Sequence, residues 1–84
     1  MYYVYVLLSE KDKRFYTGFT YDLEKRLKEH SEGMVFSTKS RLPVKLIYFE
    51  ASLNKSDALH REKYLKSTYG KRYLRNRLKN FSNQ

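Results

Sequence analysis

The chain has 84 residues and a mass of 10.2 kDa, too little for a second independent core, so one domain spanning 1–84 is expected. It holds no Cys and two His, which excludes a disulfide scaffold, a thiolate zinc site and a cysteine nucleophile. Its 18 Lys and Arg exceed 9 Asp and Glu for a net charge of +9. Residues 1–50 carry 9 basic and 7 acidic side chains, whereas residues 51–84 carry 9 and 2. A basic final third beside nine Tyr and five Phe suits a nucleic-acid partner, since cations neutralise phosphates and aromatic faces stack on bases. No apolar run is long enough to span a bilayer, and the start lacks a basic leader and cleavage site, so a soluble cytoplasmic protein without membrane contact is expected.

From the N-terminus, Tyr2 to Leu8 is aromatic and β-branched and reads as a strand. The polar stretch Ser9 to Arg14 turns the chain, and Phe15 to Phe19 returns antiparallel to it. Asp22 can cap a first helix over 22–31, with Leu23 and Leu27 on one face and Gly33 as its stop. Residues 34–42 follow neither period and read as a loop into Pro43, which precedes a third strand from Val44 to Ala51. Asn54 and Asp57 form a capping arrangement for a second helix, with Ala58, Leu59 and Leu65 as its apolar stripe and Gly70 as its end. Leu74, Leu78 and Phe81 then give a third, amphipathic helix, whose other faces carry Lys71, Arg72, Arg75, Arg77 and Lys79. The order ββαβαα implies an α/β (α+β) fold, a small three-stranded antiparallel sheet flanked by three helices.

Several residues fit a purely structural reading poorly. Glu62 falls between Leu59 and Leu65, four residues after Ala58. It is either a stripe edge that reaches water or an Arg, or a metal ligand or general base. Arg26 and His30 are spaced i, i+4 and share a helix face, as a solvated surface or as a site. Tyr5 and Tyr16 lie on the two arms of the hairpin, where cross-strand neighbours meet. Most of the nine Tyr are core aromatics, but a phenol beside an Arg is drawn toward ionisation. Gly18 in the return strand marks a bulge or a place where a ligand or another backbone comes close.

The ordered set Tyr5, Tyr16, Gly18, Arg26, His30 and Glu62 resembles the GIY-YIG nuclease superfamily, over Tyr3 to about Asn80. Tyr3-Val4-Tyr5 stands at the first tripeptide and Tyr16-Thr17-Gly18 at the second; Gly18 to Leu27 is similar to the next motif, which carries the catalytic Arg. Two departures stand out: Tyr3 replaces the first Gly, and Phe19 occupies the place of a Lys found in repair-type relatives.

The resemblance implies a Mg²⁺-dependent (or Mn²⁺-dependent) DNA endonuclease or nickase working by a one-metal mechanism, in DNA repair or recombination. It implies Glu62 as the metal ligand, Arg26 stabilising charge on the phosphorus, Tyr5 as general base with a lowered pKa, and Tyr16 and His30 positioning water and phosphate. Gly18 and Asn76 would support the site, with Asn80 the lesser candidate for that Asn. Lys71, Arg72, Arg75, Arg77 and Lys79 would grip duplex or branched DNA without reading its sequence, leaving specificity to the 34–42 loop or a protein partner. The alternative is a non-catalytic nucleic-acid-binding module on the same scaffold.

Overall fold

A computed structural model describes residues 1–82. Three strands, β1 (Tyr2–Ser9), β2 (Phe15–Thr20) and β3 (Val44–Ser52), form one antiparallel sheet in the order β2-β1-β3. The expected ββαβαα order holds, with α1 (Leu23–Ser31), α3 (Lys55–Lys66) and α4 (Thr68–Arg77) as its main helices. Two four-residue helices are added, α2 (Phe36–Lys39) and α5 (Lys79–Ser82). The stretch 34–42 is therefore not wholly a loop.

The central strand β1 sorts its side chains by the two-residue period of a pleated strand. Val4 and Val6 join Ala58 and Leu65 of α3 and Leu74 of α4 in the buried core. Tyr5 and Leu7, equally buried, point to the opposite face, where α1 brings His30. One strand thus supplies the apolar core on one side and a polar cluster on the other.

The caps explain where the helices begin. Asp22 accepts from the Lys25 N–H at 3.1 Å and Asn54 from the Asp57 N–H at 3.1 Å, so both expected N-termini are present. The expected stop at Gly70 is wrong. α3 ends at Ser67, whose hydroxyl donates to the Tyr64 carbonyl at 2.6 Å and accepts from the Gly70 N–H at 3.2 Å. This one serine closes α3 and opens α4. Gly70 lies inside α4 against the backbone of Tyr64 and Leu65, where a Cβ would collide with main chain; its small size, rather than a helix-breaking tendency, is what the position uses. The third helix also stops sooner than the leucine spacing suggests, at Leu78. Leu59, expected on the apolar stripe, is exposed, and the buried line of α3 runs through Ala58 and Leu65 alone.

Candidate active site

The polar face of β1 is organised around the Tyr5 hydroxyl. The Tyr5 ring lies across Gly18, its cross-strand partner, so closely that a Cβ there would come within 2.9 Å of Cε1 and nearer still to the hydroxyl. Gly18 is therefore the glycine of a close approach, one of the two roles read for it. Tyr16, diagonal to Tyr5 across the strands, has its ring centroid 6.3 Å from that of Tyr5 and 5.2 Å from that of His30.

From α1, His30 Nε2 approaches the Tyr5 oxygen at 2.7 Å, and Arg26 Nε–H donates to the same oxygen at 3.4 Å. Arg26 also meets Glu29 at 3.1 Å. The i, i+4 pair is therefore no solvated surface: His30 is 1% exposed. Arg26 lies half in a cleft of about 350 Å³ with Phe19, Thr20, Tyr21, Asp22, Lys25 and Glu29.

On the far side of the imidazole, Nδ1 lies 2.7 Å from the hydroxyl of Thr38, a buried residue of α2. Thr38 was not foreseeable. It sits in a stretch without period, and only the fold carries it to His30. The segment bearing it is clamped to the hairpin turn, where Ser9 donates to the Arg41 carbonyl at 2.7 Å and Arg41 Nε to Asp12 at 2.8 Å.

Burial is the main influence on both buried ionisable groups. It pushes the Tyr5 phenol up to about 12, against the pull of Arg26, and takes the imidazole of His30 down to about 4, helped by the Arg26 charge. The expectation of a lowered Tyr5 pKa thus fails for the chain's own groups, because loss of solvation outweighs one guanidinium. Arg26, held by the Tyr5 hydrogen bond, stays charged.

Glu62 shares no hydrogen bond or ion pair with this hydroxyl cluster among the described residues. Its recorded ion pair is with Lys66 at 3.2 Å, one turn along α3, and its side chain keeps 20% of its surface exposed. Lys55, seven residues earlier and so on the same flank of α3, reaches over the Tyr21 ring at 5.4 Å, just beyond β2. The carboxylate projects about 100° round the helix from Arg61, which turns to Glu50 on β3. Among the described residues no three His, Cys, Asp or Glu side chains gather as a metal cluster. A lone half-buried carboxylate fits a Mg²⁺ that takes its remaining ligands from water and phosphate.

Lys71, Arg72, Arg75, Arg77 and Lys79 are all exposed. Lys71 and Arg75 meet Lys13 and Arg14 of the hairpin turn and Arg41 around a cavity of about 580 Å³, with Asp12 and Phe15 completing its wall. The hairpin cations were not singled out from sequence. Asn76 is exposed, and its side chain makes no hydrogen bond among the described residues, so the fold shows no bracing by it. No described helix is long and apolar enough to cross a membrane.

This ββαβαα frame, with a Tyr from each hairpin arm, an Arg and a His from the first helix, is that of a GIY-YIG domain. The GIY-YIG catalytic domain family matches residues 1–79, and the chain belongs to it. A UPF0213 protein of Clostridium perfringens (strain 13 / Type A) is 51% identical over 67 residues, covering 79% of this chain and 71% of the relative. UPF0213 proteins of Syntrophus aciditrophicus (strain SB) and Haloquadratum walsbyi (strain DSM 16790 / HBSQ001) are 47% and 43% identical, covering 76% and 79% of this chain and 75% and 74% of the relatives. No solved structure matches the chain. The family is a nuclease superfamily whose members generally use a divalent metal.

Proposed function

We propose that the chain is a metal-dependent endonuclease that hydrolyses a DNA phosphodiester. The observation that carries this reading is the convergence of Arg26 and His30 on one buried hydroxyl, that of Tyr5, with the Tyr16 ring beside it and Arg26 itself lining an open cleft. Water attacks phosphorus in line and the 3′ oxygen leaves, so charge builds on the non-bridging oxygens. Arg26 uses two of its N–H groups on Tyr5 and Glu29; its remaining donors and permanent charge are available to those oxygens. Tyr5 takes the proton of the attacking water. A phenol pushed up to about 12 is protonated at neutral pH, so its basic form is the minor one, and cleavage rises with pH above neutrality. Tyr16 and His30 orient the phenol and the water. Gly18 admits the Tyr5 ring. A Mg²⁺ or Mn²⁺ held by Glu62 supplies Lewis-acid charge beside the phosphate when bound.

The cations around the hairpin cavity, with Arg72, Arg77 and Lys79, hold the phosphate backbone of duplex or branched DNA without reading bases. A role in repair or recombination in the cytoplasm, with selectivity from a protein partner, suits such a site.

The test is to incubate the protein with supercoiled plasmid and a branched duplex, with and without Mg²⁺, beside Tyr5→Phe and Glu62→Ala. Mg²⁺-dependent nicking lost in both variants supports the assignment. Binding without nicking favours a nucleic-acid-binding module, a reading to which Phe19 in the place of a Lys already leans.

A further inference from the structure

We propose that a second cleft beside Tyr5, walled by Tyr3, Tyr21 and Phe49, takes an unpaired nucleobase of the strand whose phosphate meets Arg26. The strand register places these rings. Phe49 is the cross-strand partner of Tyr5, and Tyr3 stands two residues before Tyr5 on β1, so both project from the sheet face that carries the hydroxyl cluster. The ring centroids of Tyr3 and Phe49 are 6.4 Å apart, with the planes tilted at 56° rather than stacked on one another. Tyr3 stands where the resembled tripeptide has a Gly, so this wall is the chain's own.

The apolar surface there is not closed. Leu23 and Leu27, the stripe of α1, line the cleft without being buried, and Phe49 keeps 50% of its surface exposed on the face that α1 covers. The opening of about 490 Å³ falls among small-molecule sites, which run from about 300 to 1,000 Å³.

Charge decides what enters. Asp22 and Glu24 stand at this cleft, and no Lys, Arg or His lines it among the described residues. A phosphate is repelled there, whereas a neutral base finds aromatic faces for its ring and carboxylate oxygens for its amino group. In the neighbouring cleft the balance is reversed, because Lys25 and Arg26 bring positive charge. Tyr21 and Asp22 belong to both clefts, which therefore share a wall. The base and phosphate of one nucleotide are joined through a single sugar, and adjoining clefts of opposite character suit the two ends. A paired base is held in the stack, so the substrate is DNA with a base already free of its partner, at a branch, bulge or single-stranded stretch. This rests on the reading in which Arg26 receives a phosphate.

The test is equilibrium binding without Mg²⁺, at one salt concentration, to a continuous duplex, the same duplex with one bulged 5-iodouracil, and the same duplex with an abasic residue at the bulge. The wild type should hold the iodouracil bulge about tenfold tighter than the other two, and irradiation should crosslink it to Tyr3, Tyr21 or Phe49. In Phe49→Ala and Tyr3→Ala the preference should fall to about one, with Phe49→Tyr keeping it. An abasic bulge held as tightly as the iodouracil one overturns the proposal, since ease of bending would then be the cause. A wild type without preference, or a crosslink only to other residues, overturns it whether or not the variants fold. A preference unchanged in folded Phe49→Ala and Tyr3→Ala overturns it equally and leaves the cleft to an apolar side chain of a protein partner. Preference without cleavage when Mg²⁺ is added removes the nuclease reading and leaves the base site standing; nicking without preference does the opposite.

Discussion

Two guanidinium groups in this molecule sit beside phenols and a carboxylate, and they are built to opposite ends. Arg61 of α3 gives Nε to both oxygens of Glu50, at 2.9 and 3.0 Å, and Nη2 to one of them at 2.9 Å. The guanidinium lies over the rings of Tyr64 and Tyr73, 5.2 and 4.7 Å from their centroids, and Tyr48 donates to the same carboxylate at 2.7 Å. Burial draws the Glu50 carboxyl upward, but its hydrogen bonds from Arg61 and Tyr48 outweigh this and hold it below the usual value, while Glu50 raises Arg61 further. Each group there answers another. Arg26 has one carboxylate contact and one long bond to a phenol, and it opens on a cleft. The residue types are nearly the same; unfilled donors separate a group able to receive substrate from one that fastens β3 to α3.

The largest effect expected from this contrast is on activity. Arg26→Ala should lower cleavage by about 10³-fold with little change in urea midpoint, because the side chain is partly exposed. Arg61→Ala should do the reverse, losing about 2 kcal/mol by stranding Glu50 while folded molecules cleave at nearly the wild-type rate. Identical behaviour of the two variants would break the distinction.

Acid separates the clusters next. The unfolded chain protonates His30 near 6.5 and the native state only near 4. The unfolded state therefore binds more protons in that window, and stability falls as pH drops through it, by about 3 kcal/mol in total. Urea midpoints between pH 7.5 and 4.5 should fall in the wild type and stay flatter in His30→Gln. The Glu50 pair, whose carboxyl is lowered from 4.5, loses its contribution only at lower pH still.

Gly18→Ala should displace the Tyr5 ring from His30 and cost about 100-fold in cleavage, visible as a changed His30 ring signal. Smaller again is Ser67→Ala, which removes the shared cap and should cost about 1 kcal/mol without touching either cluster. Smallest is Arg75→Gln at the hairpin cavity, where the slope of log affinity for duplex against log salt should flatten by about one; Lys63→Gln on α3, away from that cavity, should leave the slope unchanged.

How much of this could be read beforehand follows from the range of each signal. Asp22 and Asn54 announced their helices because capping is a three-residue affair. Tyr5, Tyr16, Gly18, Arg26 and His30 stood out as an ordered pattern, and the fold gathers them. Gly70 misled, because a glycine that ends a helix and one that lets two backbones touch look alike in one dimension. Thr38 gave no sign, since its role depends on a ring eight residues away that only tertiary packing places beside it. The Arg61 pair was equally silent, its partner lying eleven residues back on another element. Glu62 was legible as out of place on its helix, and among the described residues its ion-pair partner is its neighbour Lys66.

The position of β1 between its two neighbours has a further consequence for how the molecule comes apart. Tyr5 is flanked in the strand by Val4 and Val6, and backbone pairing on both sides locks all three. Fraying of a terminus or a loop cannot release that tyrosine alone; its amide should exchange with solvent deuterium only when the whole chain opens. Thermal inactivation and global melting should then coincide, so the buried Tyr5 hydroxyl keeps its setting as long as the protein stays folded.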